Sequence, residues 1–291
     1  MKKYLFMTLL GLFILSACSN AADSSTETDS EELSNANEVK EEDSDKSNDG
    51  EVETSGQPDE LDVEEEQEEQ EEQESPEVEI SPKYELTENW RVKPLEDGVD
   101  EQVVLLTIDD APDEHALQMA ETLNELDAGA IFFVNGHFLD TEEEKDTLRK
   151  IHEMGFLIGN HTFNHQALGE VDEQTQKEEI IKLNDLIEDI IGERPKFFRA
   201  PHGQNTDYSK KLAEEEGMLL MNWSYGYDWN EEYMTKEAIA DIMVNTELLG
   251  NGANLLMHDR EWTANALEDI VKGLRNKGFE PIDPKLLETP E

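Results

Sequence analysis

Cysteine, basic residues and aromatic side chains are all scarce in this 291-residue chain. There is one cysteine, Cys18, so no disulfide can form within the chain. Lysine and arginine number 23 against 72 acidic residues, for a formal net charge of −49. That imbalance argues against nucleic-acid partners and against adhesion to anionic lipid through basic patches. Between Ser19 and Ile80 there is no aromatic residue and little branched apolar side chain, so this stretch cannot bury enough surface to offset the entropy of ordering. The apolar stretch from Tyr4 to Leu15 is shorter than the roughly 20 residues a membrane-spanning helix needs.

What is present divides the chain. Lys2 and Lys3 precede the apolar stretch, and Leu15-Ser16-Ala17-Cys18 closes it with small residues, which reads as a secretory signal over residues 1–17. The segment resembles a bacterial lipoprotein signal, and the resemblance implies that cleavage leaves Cys18 lipid-modified and the protein extracytoplasmic, anchored to the cell membrane. Residues 18–80 follow as a disordered acidic tether, with 26 acids and 2 lysines from Ser19 to Ile80. A flexible chain of that length reaches about 45 Å, and self-repulsion extends it further. The remainder is acidic too, since the tether supplies only −24 of the −49.

Beyond Pro82 short apolar runs alternate with amphipathic segments, the pattern of strands and helices in turn. The expected strands are 103–108, 130–134, 156–158, 197–199, 218–223, 254–257 and 279–282. Helices are expected over 114–126, 141–154, 173–191, 206–216, 235–249 and 263–277, with Gly155, Gly192, Gly217, Gly250 and Gly278 after five of them. Seven such units predict an α/β fold, a distorted (β/α)7 barrel over residues 103–291. Residues 81–102 read as a strap packed on that barrel.

In parallel barrels chemistry gathers at the carboxyl ends of the strands. Asp109 and Asp110 follow the first strand, His161 and His165 follow the third, Arg199 ends the fourth, Asp228 follows the fifth and His258 ends the sixth. Two imidazoles and one carboxylate can hold a divalent metal and leave a position for water, with a second carboxylate spare for proton transfer.

With these residues in hand, the chain from about Val103 to Glu280 resembles the polysaccharide deacetylases, the NodB-type carbohydrate esterase family 4. Thr107-Ile108-Asp109-Asp110-Ala111-Pro112 is similar to the family's TFDDGP, Asn160 to His165 to its NHTxxH, and Arg199-Ala200-Pro201-His202-Gly203 to its RxPxG. Asp228-Trp229 is similar to the fourth motif and Leu256-Met257-His258 to the fifth, LxH. The resemblance implies that Asp110, His161 and His165 bind a divalent metal, zinc first, with cobalt, manganese or nickel as alternatives. It implies that Asp109 is the general base held by Arg199, and that His258 is the general acid supported by Asp228. Pro201, His202, Trp229 and Leu256 would meet the substrate, and a backbone N–H near His202 would share the oxyanion charge. The implied reaction removes N-acetyl groups from N-acetylglucosamine units of peptidoglycan or a chitin-like polysaccharide, by a monomeric enzyme.

Three departures from the pattern stand out. Ala111 takes the usual glycine position, His202 the usual aromatic one, and the fourth motif lacks its earlier aspartate. Singly, each residue also has a plainer use: an Asp pair as a helix cap, two histidines four apart on a helix face, Arg199 in a structural ion pair, Trp229 or His258 in the core. Two other functions stay open at this point, an O-acetyl polysaccharide esterase and an inactive glycan-binding lipoprotein.

Overall fold

The computed structural model describes residues 81–290. The expected signal, Cys18 and all of the tether therefore lie outside the described residues.

Among the described residues nine strands and six α-helices follow in order: β1 (Tyr84–Leu86), β2 (Val92–Pro94), β3 (Val103–Ala111), α1 (Ala116–Glu125), β4 (Ala130–Val134), α2 (Glu142–Glu153), β5 (Leu157–Asn160), α3 (Glu173–Ile191), β6 (Phe197–Phe198), α4 (Asp207–Glu215), β7 (Leu219–Leu220), α5 (Lys236–Asn245), β8 (Ala253–His258), α6 (Glu261–Asn276) and β9 (Glu280–Pro281). The main sheet is parallel, in the order β7-β6-β5-β4-β3-β8, with β9 paired to the start of β3. Just beyond β7, Tyr225 bridges to Leu255 of β8, and the Ser224 N–H donates to the Asn254 carbonyl at 2.8 Å. That short bridge joins the two ends of the sheet path and gives the distorted barrel.

Alternation along the strands sorts the side chains into two layers. On β3, Val104, Leu106 and Ile108 join the layer packed with the helices, which also holds Phe132, Met257, Leu267 and Ile270. The other phase faces the barrel interior, where Val103, Leu105, Ile131, Phe133, Phe197 and Met221 cluster. Continued toward the carboxyl ends, that interior phase passes from Leu105 to Thr107 and Asp109 on β3, and from Phe197 to Arg199 after β6. The same row that fills the barrel with hydrocarbon at one end thus delivers polar groups at the other.

β1 and β2 make an antiparallel hairpin whose Tyr84 and Val92 join the interior cluster, and Tyr84 bridges to Leu287. The Val92 N–H donates to the Gly252 carbonyl at 2.8 Å, and a Cβ on Gly252, with φ 69°, would stand 1.8 Å from the Val92 carbonyl oxygen. Only glycine fits there.

Two expected elements fall short of the pattern by more than an end residue or two at each side. The run 218–223 is a strand only at Leu219–Leu220, because the chain then leaves the ladder to cross toward β8. The helix expected to reach Leu249 ends at Asn245, since Thr246 is extended and its hydroxyl is held 2.7 Å from the Tyr227 hydroxyl. Gly250 is accordingly no helix cap, whereas Gly155, Gly192, Gly217 and Gly278 do take positive φ at helix ends.

Candidate active site

The paired carboxylates are the first structural problem the site solves. Neighbours on a strand point to opposite faces, so Asp109 and Asp110 should diverge. The β3–β4 register shifts between Ile108 and Ala111, and Asp110 adopts φ 61° within that irregularity. A bulge of this kind re-aims a side chain, and both carboxylates turn toward His161. Its Nε2 lies 3.6 Å from Asp109 Oδ2 and 3.8 Å from Asp110 Oδ1. Ala111 needs no positive φ, because Asp110 carries the left-handed turn; Ala111 itself is fully buried in the strand.

His161 and His165 do not lie on a helix. They sit in the loop after β5, where Thr162 has φ 70° and His165 φ 55°. With Asp110 and with His202 at φ 57°, four of the six positive-φ non-glycine residues described gather at this mouth. Such backbone costs of order 1–3 kcal/mol per residue and persists only where the surroundings impose it. Here the Asn135 amide donates to the His161 and Thr162 carbonyls at 2.6 and 3.0 Å, and Glu179 accepts from the Asn164 backbone and side chain, both at 2.7 Å.

Asp110, His161 and His165 each offer one ligand atom, and the three atoms lie within 4.8 Å of one another. His161 Nδ1 is 2.7 Å from the Arg199 carbonyl, a contact that requires its proton there and leaves the Nε2 lone pair facing the carboxylates. Burial pushes the His161 pKa down to about 3 and lowers that of His165, with Asp110 opposing in both, so burial favours the neutral imidazole at both positions. This donor set suits a divalent ion.

Asp109 is 2% exposed and accepts from Arg199 Nη1 at 2.6 Å. Burial raises its pKa, while the charge and hydrogen bond of Arg199 pull the other way. A carboxylate tuned upward is better matched to receiving a proton near neutral pH. Arg199 is fully buried, lies over the Phe133 ring at 4.3 Å, and also donates to Thr107 Oγ1 at 2.9 Å and the Asn222 carbonyl at 3.0 Å.

Asp109 and His258 are direct partners across the β3–β8 ladder. Asp228, from the irregular segment after β7, grips His258 twice: Oδ1 is 2.7 Å from Nδ1, and Oδ2 accepts the backbone N–H at 2.6 Å. Thr263 Oγ1 and Trp262 Nε1 fix Asp228 in turn, at 2.8 Å and 2.9 Å. Burial alone would depress the His258 pKa, but the hydrogen bond and charge of Asp228, with Asp109 and Asp110 behind it, leave it raised. The missing earlier aspartate of the fourth motif has not displaced Asp228 from this imidazole.

Of the expected substrate contacts, Trp229 is 45% exposed with its ring edge-on to His258 at 5.4 Å, and His202 is exposed with its ring edge-on to His165 at 5.0 Å. Pro201 and Leu256 are buried, and Leu256 lies against Gly226. His115, His137 and His152 stay outside the cluster.

Two residues at the mouth were not singled out from sequence. Asp259 accepts from the Asp113, His115 and Ala116 amides at 2.7, 2.7 and 2.9 Å, capping α1 from the end of the neighbouring strand β8. Arg260 Nη2 donates to Asp110 Oδ2 at 2.8 Å. They follow His258 by one and two residues, just beyond the strand-end position that sequence selected.

Residues 96–221 match the family model described as polysaccharide deacetylase. The peptidoglycan-N-acetylglucosamine deacetylase of Bacillus cereus is 31% identical over 60% of this chain and 64% of its own length. The solved structure of the peptidoglycan deacetylase PdaC from Bacillus subtilis superposes with a TM-score of 0.57 at 28% identity, over 63% of this chain and 88% of that one. The folded domain belongs to the polysaccharide deacetylases. This polysaccharide deacetylase domain extends past the matched segment, since Asp228 and His258 lie beyond residue 221 yet face Asp109 across one mouth. The curated PdaC sequence, a peptidoglycan-N-acetylmuramic acid deacetylase, is 30% identical over 67% of this chain and 41% of its own length. The chain thus spans less than two thirds of the length of these curated relatives, and the two are named for different sugars.

Proposed function

We propose that this deacetylase is a metal-dependent hydrolase that removes N-acetyl groups from amino sugars of peptidoglycan, N-acetylglucosamine first. The observation that carries the reading is the bulge at Asp110, which brings two adjacent carboxylates to one pair of imidazoles. Asp110, His161 and His165 would hold a divalent ion, with zinc favoured by the two neutral imidazoles. When bound, such an ion supplies a Lewis acid for the acetamide carbonyl and for water. Asp109 takes the proton of the attacking water, oriented by Arg199. His258 protonates the departing amine, with Asp228 steadying the imidazolium. Trp229 walls the pocket beside the reacting group, His202 lies at its rim, and a backbone N–H near His202 adds to stabilisation of the oxyanion. Pro201 and Leu256 shape the floor.

The sequence supports an extracytoplasmic place for this chemistry. A lipid on Cys18 and the acidic tether would set the domain at working distance from a membrane, within reach of the wall. Unmasked amines would add positive charge to the polymer and change its recognition by other wall enzymes.

Acetate release by the full chain from N-acetylglucosamine oligomers and from purified peptidoglycan tests the reading, before and after chelation and with zinc, cobalt or manganese restored. Loss on chelation and recovery with metal is expected, and His161→Ala should lose both bound metal and activity. Undiminished metal content in that variant would refute the ligand set. Release only from O-acetylated material would reassign the substrate.

A further inference from the structure

We propose that Arg260 is a positioning residue that holds Asp110 to a single metal-facing oxygen, at the expense of metal affinity. The inference rests on the reading of Asp110 as a ligand. The two oxygens of Asp110 stand in different surroundings. Oδ1 is 3.4 Å from His165 Nε2 and 3.8 Å from His161 Nε2, whereas Oδ2 is taken by Arg260 Nη2 at 2.8 Å. The guanidinium is itself braced. Nη1 donates to the Asp259 carbonyl at 2.9 Å and lies 3.6 Å from Asp113 Oδ2. Asp259 is locked by the three amides it accepts from and by its own N–H, which donates to the Asp109 carbonyl at 3.0 Å. Arg260 therefore springs from the end of β8, which is tied through Asp259 to the end of β3 that presents the carboxylates, and its fork is braced by these contacts.

A carboxylate free at both oxygens can close on an ion in bidentate fashion and occupy two coordination positions. A hydrolytic site needs positions left for water and for the substrate carbonyl. Holding Oδ2 in a charge-assisted hydrogen bond keeps Asp110 monodentate. The same guanidinium places a positive charge beside a dication and neutralises part of the ligand's charge, both of which weaken binding. Arg260 thus exchanges affinity for an open site. A merely structural arginine would have the opposite signature, because its loss would loosen the ligands and weaken metal binding.

The experiment titrates Zn2+ and Co2+ into the full chain and into Arg260→Ala and Arg260→Gln, counting only the tight site that His161→Ala abolishes. Both Arg260 variants lose the charge and should bind about tenfold tighter. The alanine variant also frees Oδ2, so its Co2+ visible bands should weaken as coordination number rises, while glutamine, which can still donate a hydrogen bond, should keep more of the parent spectrum. At saturating metal the alanine variant should lose kcat with KM little changed. Equal or weaker binding in both variants overturns the proposal. A tight site that survives His161→Ala would sink the ligand assignment itself, and this inference with it.

Discussion

The two sides of the barrel mouth are built by different means. On one side β3 pairs with β8 through six successive registered positions, from Val104 with Ala253 to Asp109 with His258, and with β4 along its other edge. On the other side β6 and β7 share two paired positions, and the chain from Met221 to Asp228 runs on as largely irregular backbone. Buried side chains replace the missing ladder there. The Asn222 carbonyl accepts from Arg199 and from the Asn254 amide, both at 3.0 Å, and Ser224 Oγ accepts the Asn254 N–H at 3.0 Å. The regular side supplies Asp109, Asp110 and His258; the irregular side supplies Asp228 and Trp229, with Arg199 at the junction. On the regular side the strand ladder itself holds the backbone that carries the chemistry. On the irregular side the groups that hold the backbone are the groups next to the chemistry.

The largest expected effect lies where the sides meet, at the His258–Asp228 pair. His258→Ala removes the proposed proton donor, and hydrolysis of N-acetylglucosamine oligomers should fall by about 10²–10⁴-fold. An activated aryl ester, whose leaving group needs no proton, should lose less; equal losses would give His258 a structural role. Asp228→Asn keeps the shape and removes the charge that raises the His258 pKa. A donor with a raised pKa stays protonated to higher pH, so this variant should bring the alkaline fall of kcat to lower pH. The linked stability has a defined sign: the pair's contribution is full below the ordinary histidine pKa and is lost as pH rises through the raised folded value. Urea unfolding across that window should show a steeper decline in the parent than in Asp228→Asn.

Arg199→Met comes next. It leaves the Asp109 carboxylate buried without its partner, and breaking a buried pair from one side costs about 3–5 kcal/mol. Denaturant unfolding should show that loss. Adding Asp109→Asn should restore part of the stability and none of the activity, because the orphaned charge is gone while the proposed base is gone too.

The same contrast governs what the sequence made legible. β4 and α3 have the bounds that periodicity predicts, since each is set by its own repeating apolar pattern. The carboxylates, imidazoles and Arg199 were legible because each falls at the end of an apolar run. Asn254 and Asn222 were not. A polar residue inside or beside such a run gives no periodic signal, and its purpose emerges only when β8 is brought against the segment after β7. Arg260 was hidden for a similar reason: its partner, Asp110, is 150 positions away in the chain. Sequence pattern reports elements that satisfy their own backbone, and it is silent about backbone satisfied by distant side chains.

The smallest effects test the comparison most directly, using neighbours on β8. Leu255 packs with the helices and is fully buried, so Leu255→Ala should cost about 2–5 kcal/mol through the cavity it leaves. Asn254→Leu keeps the volume but strips the Asn222 carbonyl of one donor, for about 1–3 kcal/mol. If the two sides differ as argued, activity should run the other way. Leu255→Ala, measured well below its unfolding midpoint and with metal saturating, should retain nearly the parent kcat, because Asp109 and His258 hang from backbone that the ladder still holds. Asn254→Leu should lose more kcat for less stability, because the Asn222 carbonyl that it releases is also the seat of Arg199, and Arg199 orients Asp109. A kcat that follows stability alike in both variants would mean that the irregular side is held as independently of its chemistry as the regular one.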